Sequence, residues 1–215
     1  FFTIIENSSS RILLELNLNL KINKISKQKL NFEIFIKTLE ILFLFLSKST
    51  DKVSIKYLLV DFKLNYDFII DNEINLKLPD NINIIEKIIG MNISLMRKMI
   101  EEDDIVLSIL NNLIYLSEKN EIFCDNIIKA GCPRLLLQII ENSLNENNIE
   151  CALELLKNIS NSNEENLKII SNQNVLNVFF QVRKKYGGNS NIINICDDVS
   201  KDILKLPGQE SYVME

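Results

Sequence analysis

The chain of 215 residues contains neither histidine nor tryptophan, so its candidates for chemistry are carboxylates, thiols and amines. Without an imidazole, Ser-His-Asp and Cys-His catalysis and most zinc sites are excluded. The densest acidic run, Glu101-Glu102-Asp103-Asp104, could hold a cation or act as an acid–base pair. It also stands where a helix should begin, and carboxylates are favoured there by the helix dipole and the free N–H groups. The structural role is the expected one, with Asp103 or Asp104 as N-cap. Cys124, Cys132, Cys151 and Cys196 make no C-x-x-C pair, and three of them fall at apolar positions of the helical pattern. That is the pattern of buried free thiols in a reducing compartment. The five glycines form no G-x-G-x-x-G or G-K-[ST] loop, which leaves a phosphate cradle without support. Lys21, Lys24, Lys27 and Lys29 read as a solvated face, with a site for acidic lipid or nucleic acid as the alternative. Arg183-Lys184-Lys185, ahead of Gly187-Gly188, complement a helix C-terminus. No catalytic residue, cofactor or metal is expected.

The elements that must position the remaining polar residues repeat. Shifted by 43 residues, Ile109–Ser117 falls on Ala152–Ser160 and the match continues to Ile140 over Arg183. Leu113 meets Leu156, Leu116 meets Ile159, Ile127 meets Ile170, Leu136 meets Phe179 and Ile139 meets Val182. Polar identities accompany them: Ser117/Ser160, Asn120/Asn163, Glu121/Glu164 and Gln138/Gln181. Each copy reads as a long helix (104–117; 148–160), a short one (122–129; 165–172) and a third (133–141; 176–185). Between the last two lies a sharp turn at Gly131, whose counterpart is Asn174; both residue types tolerate left-handed backbone. Pro133 suits a first helical turn. Repeats of roughly 40 to 47 residues built from helices indicate an α-solenoid, whose units bury their apolar faces only by stacking.

A third copy lies upstream, Met91–Glu101 over Gly131–Glu141, and Ile192, Ile195 and Val199 continue the register into a closing helix. Residues 81–206 are read as repeats with a C-terminal cap, residues 207–215 as a tail and residues 1–80 as degenerate helical layers. In the N-terminal part Phe32–Leu46 is a helix candidate, and residues 51–71 hold two more. Leu14, Leu16, Leu18, Leu20 and Ile22 alternate like a strand yet also form two helical stripes. Helix is expected there, since a solenoid layer offers no sheet to join. Residues 72–80 read as a linker and Glu141–Asn148 as a long loop. The net charge of −5 and the pI near 5.0 leave no global field for attracting phosphates, which argues against nucleic acid. The longest apolar run, Ile41–Leu46, is too short to span a bilayer, and a soluble, cytoplasmic protein is expected. The polar residues are dominated by Asn; Asn7, Asn92 and Asn158 match the glycosylation pattern, as chance predicts in so Asn-rich a chain.

Ile127-Ile128-Lys129-Ala130-Gly131-Cys132-Pro133-Arg134-Leu135-Leu136 resembles the passage joining the first and second helices of the armadillo repeat. Ala152–Ser160, Ala-Leu-Glu-Leu-Leu-Lys-Asn-Ile-Ser, resembles its third helix. The resemblance covers residues 91–203 and implies an all-α fold, a right-handed α-solenoid of armadillo-like three-helix repeats. In that family third helices line a groove that binds extended peptides or partner helices, and nuclear-import members clamp the peptide with a Trp and an Asn one turn later. Here those positions hold Glu154 and Asn158, preceded by Asn111 and Tyr115 and followed by Asp197 and Lys201. The resemblance therefore implies the groove, and with no Trp it does not imply that cargo. It implies a non-enzymatic scaffold or adaptor whose groove, made mildly acidic by Glu154 and Asp197, takes a basic or mixed-charge peptide or helix of a protein partner. The alternative is a structural subunit buried permanently in a larger assembly, for which the very apolar Ile41–Leu46 speaks.

Overall fold

Apolar residues at helical spacing, punctuated by Asn caps, produce helices throughout the region the structure covers. The computed structural model describes residues 79–207 together with Lys52. The expectations for the N-terminal layers, the lysine stretch, Ile41–Leu46, Asn7 and the tail beyond Pro207 lie outside the described residues. The chain divides into two compact units, residues 1–84 and 85–215. Among the described residues there are eight helices and no strand: α1 (Pro79–Lys98), α2 (Asp103–Ser117), α3 (Glu121–Lys129), α4 (Cys132–Asn142), α5 (Glu146–Asn161), α6 (Glu164–Ser171), α7 (Val175–Lys185) and α8 (Ser190–Leu204).

The 43-residue copies are α2–α3–α4 and α5–α6–α7, and the expected order of long, short and third helix is found in each. Their buried positions coincide. Ile105, Val106, Ile109, Leu110, Leu113 and Leu116 of α2 are answered by Asn148, Ile149, Ala152, Leu153, Leu156 and Ile159 of α5. Gly131 has φ 74° and Asn174 φ 59°, and both turn the chain in left-handed backbone between short and third helix. Among the described residues no other position has positive φ.

The helix starts carry Asn. Asn120, Asn145, Asn163 and Asn189 precede α3, α5, α6 and α8, and each side-chain oxygen accepts a backbone N–H of the first turn, satisfying a donor the helix itself leaves open. At α2 the expectation is corrected. The N-cap is Glu102, which makes no side-chain cap bond, while Asp103 and Asp104 sit in the first turn. The helix dipole favours carboxylates there, and Asp103 Oδ1 also accepts from Asn148 Nδ2 at 2.7 Å. The expected long loop over 141–148 is also shorter than read, because α4 runs to Asn142 and Asn145 caps α5 at once. Similarly, Pro79 opens α1 and does not belong to a linker. In α8 the buried stripe is Ile192, Cys196, Val199 and Ile203; Ile195, expected in that stripe, is half-buried and the thiol takes its place.

Helix α5 sits at the centre. It packs on α2, α3, α4, α6 and α8, while α7 packs on α4 and α8. Ile149, Ala152, Leu153, Leu155, Leu156 and Ile159 are all fully buried, so this helix is apolar on more than one side, as expected of an element covered by neighbouring layers. Side-chain hydrogen bonds between the copies run from 38 residues, Asn163 Nδ2 to Asp125 Oδ1, to 45 residues, Asn148 Nδ2 to Asp103 Oδ1. Each joins residues about one repeat apart in the chain.

Candidate interaction face

Because α5 packs on both α2 and α8, the rows at the 43-residue spacing are set on adjacent helices. Asn111 and Tyr115 lie on α2, Glu154 and Asn158 on α5, and Asp197 and Lys201 on α8. Asn111, Glu154 and Lys201 are exposed; Tyr115, Asn158 and Asp197 are half-buried. Each pair is four residues apart, one turn of helix, so both members share a face.

Contacts between the helices commit several of these groups. Asn158 donates from Nδ2 to Ser117 Oγ at 3.1 Å, and the Ser117 hydroxyl donates to Ile114 O at 2.7 Å. The amide therefore ties α5 to α2. Cys151 Sγ stands 3.9 Å from Asn111 Oδ1 across the same boundary. Lys119 Nζ lies 4.6 Å from the centroid of the Tyr115 ring, a cation over a π face. Between α5 and α8, Lys157 Nζ meets Asp198 Oδ2 at 2.7 Å. The hydrogen bond from Lys157, reinforced by its charge, holds the Asp198 carboxyl below its ordinary range. Arg183 of α7 reaches Asp197 Oδ1 at 2.7 Å and Ser200 Oγ at 3.0 Å.

These pairings alter the charge expected of the face. The carboxylate of Asp197 is matched by Arg183 and that of Asp198 by Lys157, so the exposed members of the three pairs are the amide of Asn111, the carboxylate of Glu154 and the ammonium of Lys201. The face is amide-rich and of mixed charge. Ser117, Cys151, Lys157, Asp198 and Arg183 were not singled out in advance as parts of it. The signal that could have found the Lys157–Asp198 pair is its separation of 41 residues, close to one repeat with opposite charges at the two ends.

Cys124, Cys132 and Cys196 are buried and Cys151 half-buried, and all four are free. Burial pushes Cys124 up to about 11 and Cys132 and Cys196 up to about 12. Cys151 is raised as well, by burial first and then by Glu154 and Glu150. Among the described residues no group of three potential metal ligands gathers, and no helix is long and apolar enough to cross a membrane. Asn92 is fully buried, which closes that glycosylation pattern to an enzyme in the folded chain. No family model matches the chain, and no curated protein does.

Proposed function

We propose that the chain is a non-enzymatic protein-interaction scaffold, an α-solenoid of armadillo-like three-helix repeats that binds a partner segment along the face of α2, α5 and α8. The observation that supports this reading is that α5, which carries Glu154, packs on both α2, which carries Asn111 and Tyr115, and α8, which carries Lys201, while the apolar stripes of the same helices are buried. A face of amides, one aromatic ring and unlike charges is suited to a peptide or helix of mixed charge, through hydrogen bonds and a few charged contacts. The hydrogen bonds that recur at about one repeat support the stacking on which such a face depends.

The test compares wild type with Glu154→Lys combined with Asn111→Lys, by affinity purification from native lysate with quantitative mass spectrometry. Both residues are exposed, so the melting temperature should hold. The reading expects a captured protein to be lost at least about tenfold, roughly 1.4 kcal/mol. A folded variant that captures everything wild type captures would remove this face as the working surface.

A further inference from the structure

We draw no further inference here: the strongest candidate, the group of carboxylates Asp103, Asp104, Glu146 and Glu150 at the N-terminal ends of α2 and α5, is a cluster of acidic side chains in which Asp103, Glu146 and Glu150 are already engaged by the amides of Asn148 and Asn189, and nothing among the described residues points to a ligand there.

Discussion

Ionisation of a thiol moves charge into whatever surrounds the sulfur, and in this chain apolar helix faces surround three of the four. Burial holds Cys124, Cys132 and Cys196 protonated well above the ordinary thiol value of 9.0. At pH near 8 a thiol-exchange reagent should label half-buried Cys151 first, and the other three only as fast as the chain unfolds; a buried cysteine reacting ahead of Cys151 would contradict the packing. A raised folded-state value gives stability that is fully present below 9.0 and is lost as pH rises toward about 12, because the unfolded chain ionises first. Melting temperature should fall as pH passes 9, and Cys132→Val should make that fall shallower. At Gly131 the constraint is backbone alone. A Cβ there would meet nothing within 4 Å, so the cost of a side chain comes from its φ of 74°. Gly131→Val should lower stability by about 1–2 kcal/mol in denaturant titrations, since branched residues are poorest in the left-handed region. Asn174→Gly should fall within about 1 kcal/mol of wild type.

At the scale of helices, asparagine does two jobs with one side chain. Asn163 caps α6 through Oδ1 and uses Nδ2 to reach Glu121 and Asp125 of α3. Asn189 caps α8 and reaches Glu146 and Glu150 of α5. Each cap therefore fastens its helix to the preceding copy. Asn189→Ala removes both functions and should cost about 1–2 kcal/mol, the upper part of the range for a lost N-cap, measured by thermal melts. Asn189→Asp keeps the cap but sets a third carboxylate beside Glu146 and Glu150, so it should also destabilise near neutral pH and recover as the solution is acidified. A neutral outcome for Asn189→Asp would mean that the amide–carboxylate contacts contribute nothing.

For the whole molecule, the described residues are helical from α1 to α8, and the fold is a succession of like helices laid on like. Far-ultraviolet circular dichroism of the full chain should show mainly helix, with strand below roughly a quarter of the residues, the level of an ordinary mixed domain. A larger strand signal would contradict the all-helical reading for the chain as a whole.

The sequence by itself determined the three-helix period, because a stacked layer needs apolar residues at the same places each time: Leu113 and Leu156, Leu136 and Phe179 are interchangeable in a buried stripe. It also determined the turn, since few residues accept the left-handed backbone that Gly131 and Asn174 adopt. Among the polar identities, Asn120 and Asn163 proved to be caps, and Ser117 and Ser160 return their hydroxyls to carbonyls three residues back; both are helix-end devices that depend on local chain geometry. What the tertiary structure decided is which polar groups remain available. Asn158 and Asp197 look as free in the sequence as Glu154, yet Ser117 and Arg183, 41 and 14 residues away, engage them. A periodic pattern records which side of a helix faces its neighbours. The partners at the boundary between helices depend on how far each helix slides and rotates against the next.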